Sequence, residues 1–130
     1  MRFELPLPPS VNAAYRNVPG VGRVKTDAFK AWEREASLLV MAARQKPLES
    51  GEYGLSMRFT FPNRRGDLNN YIKAPIDLLV RAGLTPDDRW NDHLEASRIV
   101  DKGAKPGVEI IAWSGAGPLG GVTVEIGGGA

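Results

Sequence analysis

Tyr53-Gly54-Leu55-Ser56-Met57-Arg58-Phe59-Thr60-Phe61 runs through Pro62-Asn63 into Arg64-Arg65-Gly66-Asp67-Leu68-Asn69-Asn70-Tyr71-Ile72-Lys73. In the first nine residues the large apolar side chains recur at every second position, the pattern of a strand with one buried face. Beyond Gly66 the period lengthens. Leu68, Ile72, Pro75, Ile76 and Leu79 fall on one stripe of a helix expected over about residues 67–82, with Gly83 as its stop. Pro75 is interior to that span and is expected to kink it. The join of strand and helix carries the chemistry. A basic pair, Arg64-Arg65, leads into Asp67, Asn69 and Asn70, and Lys73 closes the group. Arg and Lys suit phosphate, and clustered side-chain oxygens suit a hard metal ion such as Mg²⁺. Asp87-Asp88 follows one helix and one loop later.

Outward from this join, residues 2–7 read as a short strand ended by Pro6-Leu7-Pro8-Pro9. Ser10 to Gly22, with Asn12, Asn17, Pro19, Gly20 and Gly22, reads as an irregular loop decorated by Tyr15, Arg16, Arg23 and Lys25. Thr26 or Asp27 then caps a helix of roughly residues 27–46, in which Phe29, Trp32, Ala36, Leu39, Val40 and Ala43 recur at three- and four-residue steps. Residues 84–92 read as a polar loop. Residues 94–101 and 107–113 read as a final pair of strands joined by Lys102-Gly103-Ala104-Lys105-Pro106. The tail, residues 114–130, holds 7 glycines in 17 residues and one strand-like island, Val122 to Ile126, so its composition predicts mobility.

The chain has 130 residues, enough for one domain with a real core. It has no cysteine, which excludes disulfides and thiolate metal sites and fits a reducing cytoplasm. No signal peptide is visible at Met1 to Pro6, and no apolar run reaches the length of a membrane span. Net charge is only +2 but uneven: residues 1–73 carry 12 Lys and Arg against 7 Asp and Glu, and residues 74–130 carry 5 against 8. A basic half beside an acidic half permits nucleic-acid binding without demanding it.

Each motif also has a bland reading. Asp67 stands where a helix N-cap belongs. Lys73 and Asp77 form an i, i+4 pair that could simply be solvated. Arg64-Arg65 could be an exposed basic loop, and Asp87-Asp88 after Pro86 an ordinary turn. His93, the lone histidine, has no Ser or Cys partner at a recognisable spacing and reads as structural or exposed. Trp32 and Trp113 read as core and strand end, whereas Trp90 lies in a polar loop and could pack at an interface.

Taken together, three blocks resemble the RusA family of Holliday-junction resolvases. Leu7-Pro8-Pro9-Ser10-Val11-Asn12 with Tyr15-Arg16 is similar to the family's Pro-Pro-Ser-x-Asn signature. Arg64 to Lys73 is similar to its Arg-Arg-x-Asp-x-Asp-Asn-x-x-Lys core, and Ala82-Gly83 with Asp87-Asp88 to its downstream Gly and Asp-Asp element. The resemblance covers roughly residues 3–113, leaving the tail outside that domain. It implies a single α/β (α+β) domain with a mixed sheet packed against two main helices. It implies a cytoplasmic homodimer, with no membrane partner, that binds branched DNA at four-way junctions and makes paired Mg²⁺-dependent cuts; Mn²⁺ is an alternative ion. Carried over by position, Asp67 and Asp88 are metal ligands and catalytic residues, and Lys73 is the catalytic lysine. Arg16, Arg23, Lys25, Arg64 and Arg65 are the expected DNA-backbone contacts. The chain departs from the motif at Asn69, where the family has a carboxylate. Three accounts follow: Asn69 ligates through its amide oxygen and suffices; another acid, such as Asp77 or Asp87, compensates; or the chain binds branched DNA without cutting it.

Overall fold

The computed structural model describes residues 1–115 and 117. Its strands are β1 (Arg2–Leu5), β2 (Tyr15–Val18), β3 (Gly22–Lys25), β4 (Tyr53–Phe61), β5 (Asn91–Val100) and β6 (Gly107–Ser114). Its α-helices are α1 (Val11–Ala14), α2 (Asp27–Ala43) and α3 (Lys73–Arg81), with 3₁₀ turns at Leu68–Tyr71 and Asp88–Trp90. Four strands make a mixed sheet in the order β1-β6-β4-β5, and β2 and β3 make a separate hairpin. The α+β class expected from the resemblance is the class observed. The strand-like island at 122–126 lies outside the described residues.

β4 is the spine of the sheet. Tyr53, Leu55, Met57, Phe59 and Phe61 are all buried, as their alternation requires. They pack with Phe3 and Leu5 of β1, Val108, Ile110 and Ala112 of β6, and the apolar faces of α2 and α3, so both long helices cover one face of the sheet. On the other face a Cβ at Gly54 would overlap the Trp113 indole, so only glycine fits there.

Several local readings change. The stretch expected as an irregular loop is a short helix and a hairpin. Ser10 caps α1, its hydroxyl accepting from the Ala13 amide at 3.3 Å. The turn formers then close β2 onto β3. Val21 N–H donates to the Val18 carbonyl at 3.0 Å, with Pro19 and then Gly20 at φ 77° between them, the residue order of a type II turn. Of the two proposed caps of α2 it is Thr26 whose hydroxyl accepts from the Phe29 amide, at 3.3 Å. The helix ends at Ala43 rather than 46, because Arg44 turns left-handed at φ 49°. Leu39 and Ala43 lie on its exposed side, so its buried stripe is narrower than expected: Phe29, Trp32, Ala36 and Val40. The Trp32 indole N–H donates to the Pro6 carbonyl at 2.8 Å and ties α2 to the end of β1, which stops at Leu5 rather than 7.

The helix expected over 67–82 is a 3₁₀ turn followed by α3. Pro75 is the third residue of α3, inside the first turn, where backbone N–H groups have no helical partner. It therefore fixes where the α-helix begins instead of kinking it. This connection is the crossover that makes β4 and β5 parallel. β5 begins at Asn91, earlier than expected, and does not pair with β6. β4 lies between them, antiparallel to β6, and the 101–106 connection passes over its end. Asp101 N–H bonds the Phe61 carbonyl at 2.9 Å there.

Candidate active site

Asn69 of the first 3₁₀ turn, Lys73 at the start of α3 and Asp88 at the start of the second 3₁₀ turn line one cleft of about 510 Å³. Its remaining lining is Ile72, Ile76, Asn91, Asp92 and Leu94. The parallel pairing explains the convergence: the crossover leaves the end of β4, and its return brings Asp88 to the head of β5, beside the start of α3. Two sequence blocks nineteen positions apart, at Asn69 and Asp88, thus face each other.

The other expected residues divide. Asp67 does not line the cleft; it is exposed at the head of the Leu68–Tyr71 turn. It occupies the N-cap position, but its side chain makes no capping bond, so the bland account of Asp67 as a cap is not realised. Arg98 holds this loop from the sheet. Its guanidinium donates to the Gly66 carbonyl at 2.8 Å and lies 5.4 Å from the Phe61 ring centroid. Arg64 and Arg65 are exposed just before it, and Arg65 N–H is turned in to Asn63 Oδ1 at 2.9 Å. Lys73 Nζ sits 3.4 Å from Asp77 Oδ1, with both side chains well solvated. Such a pair is worth a few tenths of a kcal/mol, so Asp77 holds the ammonium only weakly.

Asp77 and Asp87 lie in a neighbouring depression of about 380 Å³ that Asp88 also lines, and neither lines the cleft with Asn69. Asp87 accepts from the Arg89 amide at 3.0 Å; that bond and a contact with the Asp88 carboxyl hold its pKa below the usual value. The second acid in the Asn69 cleft, beside Asp88, is Asp92, which sequence reasoning missed.

On the hairpin, Arg16 is exposed, and the Arg23 guanidinium lies 3.9 Å from the Tyr15 ring centroid. Lys25 is engaged differently. Its Nζ is 3.1 Å from Glu33 Oε2, and the Arg81 guanidinium donates to the same carboxylate. Burial disfavours the charged form of Glu33, but hydrogen bonds from Arg81 and Lys25 outweigh it and hold its pKa below 4.5. A lowered folded-state pKa gives stability that is present above the unfolded value and lost as pH falls through the folded one. Glu33→Gln is therefore expected to cost about 1 kcal/mol at neutral pH, at the low end because Lys25 and Arg81 stay partly in water. The gap from wild type should close as pH drops below about 4.5 in denaturant titrations. A gap unchanged down to pH 3 would exclude this linkage.

His93 lies half-buried beside Trp113, ring centroids 6.0 Å apart, with Nε2 3.6 Å from Glu95 Oε1. It takes no part in the cleft. Trp90 is 40% exposed beside Arg89, free of the core as expected.

The donors at this site are carboxylate and amide oxygens, the set a hard divalent cation prefers. Among the described residues no three His, Cys, Asp or Glu side chains stand close enough together to hold an ion. Mg²⁺ is commonly held by one or two carboxylates together with substrate phosphate and water. No described helix is long and apolar enough to cross a membrane.

A parallel strand pair with a cleft at the return of its crossover, lined by two acids, two amides, a lysine and three apolar side chains, defines a small α+β domain whose site offers the oxygen donors a hard cation prefers. The chain belongs to the RusA family: the family model described as endodeoxyribonuclease RusA matches residues 6–111. It is also similar to the crossover junction endodeoxyribonuclease rusA of Enterobacteria phage HK97, 26% identical over 111 residues, covering 84% of this chain and 92% of the phage protein.

Proposed function

We propose that this protein cleaves phosphodiester bonds at four-way DNA junctions with the help of a divalent cation. The observation that carries the reading is the convergence of Asn69, Lys73 and Asp88 on one cleft in a chain of the RusA family. Asp88 and Asn69, with Asp67 at the head of the same turn, are the residues that would hold Mg²⁺, or Mn²⁺ in its place. When bound, such an ion polarises a phosphoryl oxygen and makes water a stronger nucleophile at neutral pH.

The chain's own residues do the rest. Lys73 leaves its weak pair with Asp77 and offsets negative charge that grows on the non-bridging phosphate oxygens. Arg64, Arg65, Arg16 and Arg23 hold phosphates away from the cut, which positions DNA without reading its sequence. Lys25 contributes less than the four arginines, because Glu33 already holds it. A two-fold homodimer would present two such clefts to a junction of approximate two-fold symmetry and so make paired cuts.

Lys73→Ala should reduce single-turnover cleavage of a synthetic junction by about 10²-fold while junction affinity in gel shifts changes little. Loss of binding in step with loss of cleavage would reduce Lys73 to one more backbone contact. Asn69 favours a second reading, in which the protein binds branched DNA without cutting it. That reading requires structure-selective, salt-sensitive binding with no product under Mg²⁺ or Mn²⁺.

A further inference from the structure

The cleft holds a second carboxylate that the family motif does not contain, and the backbone shows how it arrives. β4 and β5 run in register from Gly54 opposite His93 to Phe61 opposite Val100, but Tyr53 lies opposite Asn91. Asp92 is therefore an extra residue on β5 with no counterpart on β4, a β-bulge. In an unbroken strand Asn91 and Asp92 would point to opposite faces. Here both line the cleft with Asn69, Lys73 and Asp88.

The surroundings fix what each offers. The Asp92 side chain is exposed and forms no salt bridge among the described residues. Asn91 is half-buried, with its Nδ2 buried and turned toward the Tyr53 hydroxyl. The Tyr53 hydroxyl, on a residue with no exposed surface, lies beside both Asn91 and the buried Thr85 hydroxyl, so the inner end of Asn91 faces polar atoms of the protein. With its donor end directed into the protein, Asn91 has its carbonyl oxygen to offer the cleft. An acid with no cationic partner is also unfavourable on a surface that only binds DNA phosphates, since it repels them.

We infer that Asp92 supplies the negative charge that Asn69 lacks, with Asn91 as a neighbouring oxygen donor. The bulge moves the second carboxylate of the site from the 3₁₀ turn to the head of β5. The ligand it would serve is a hard divalent cation, and the inference rests on the reading of the cleft given above.

The test is Mn²⁺ binding to the full chain, followed by calorimetry and by the spin-resonance signal of free Mn²⁺. It compares wild type, Asp92→Asn, Asp88→Asn and the double variant Asn69→Asp/Asp92→Asn. Asp92→Asn should weaken binding by at least about tenfold. Adding Asn69→Asp should recover most of that loss, because the charge returns to its alternative position. Unchanged binding in Asp92→Asn alongside loss in Asp88→Asn would overturn the role of Asp92 and leave the site standing. Failure of the double variant to recover would overturn the exchange of position between 69 and 92. No effect of either single substitution, or no Mn²⁺ binding by wild type, would overturn the site itself. Thermal melts of each variant separate these outcomes from misfolding.

Discussion

Asp88→Asn is expected to lower junction cleavage by about 10³-fold while leaving thermal unfolding unchanged. Asp88 is exposed at the first residue of a 3₁₀ turn and forms no salt bridge among the described residues, so the fold does not depend on its charge. It lines the cleft with Asn69 and Lys73, where the amide at 69 brings no charge of its own. Changing carboxylate to amide keeps the shape and removes one of the few negative charges able to hold a cation. A loss of 10³ corresponds to about 4 kcal/mol of transition-state stabilisation, within what a catalytic metal ion contributes. Junction binding should persist, because the arginines proposed to grip the backbone lie elsewhere. A rate within a few-fold of wild type would remove Asp88 from the catalytic set.

The largest effect on stability is expected from Phe59→Ala. Phe59 has no exposed surface and lies near the C-terminal end of β4, with its ring edge-on to Phe61 at 5.9 Å and to Tyr71 at 6.4 Å between centroids. Truncation removes the burial of a whole aromatic ring and leaves a cavity, at a cost of about 3–5 kcal/mol. In a domain of this size that lowers Tm by about 10–20 °C. The damage should reach function as well. Tyr71 closes the turn that carries Asn69, its ring 4.7 Å from that of Phe61, and its hydroxyl lies against Gly66. Phe59→Leu, which keeps most of the volume, should cost about 1.5 kcal/mol or less and retain activity. Equal losses for the two variants in denaturant titrations would contradict the cavity account.

Local periodicity made β4 and α2 legible from sequence. Five alternating apolar residues set the buried face of the strand, and Thr26 with the three- and four-residue spacing set the helix. The hairpin was not legible, because Pro19, Gly20 and Gly22 are breakers in isolation and become a turn only when four-residue strands pair across it. Nor was the position of β5. Two strands adjacent in sequence suggest a hairpin, and the longer crossover through α3 that sets β5 beside β4 instead depends on non-local packing. At the site, Asn69, Lys73 and Asp88 could be named from the motif, and the fold accounts for their meeting. Asp92 could not be found that way. Nothing in Asn91-Asp92 marks a bulge, which exists only as a mismatch between the two strands. An acid at the head of a strand, next to an amide, was the one faint signal.

The central claim is that this cleft cuts branched DNA, and one measurement addresses it directly. Wild-type protein is incubated with an end-labelled synthetic four-way junction, and separately with linear duplex of the same sequence, in Mg²⁺ and in EDTA. The account predicts paired nicks in opposing strands of the junction in Mg²⁺, none in EDTA and little cutting of the duplex. Tight junction binding without any product under Mg²⁺ or Mn²⁺ would contradict it and leave the Asn69 chain as a protein that holds branched DNA intact.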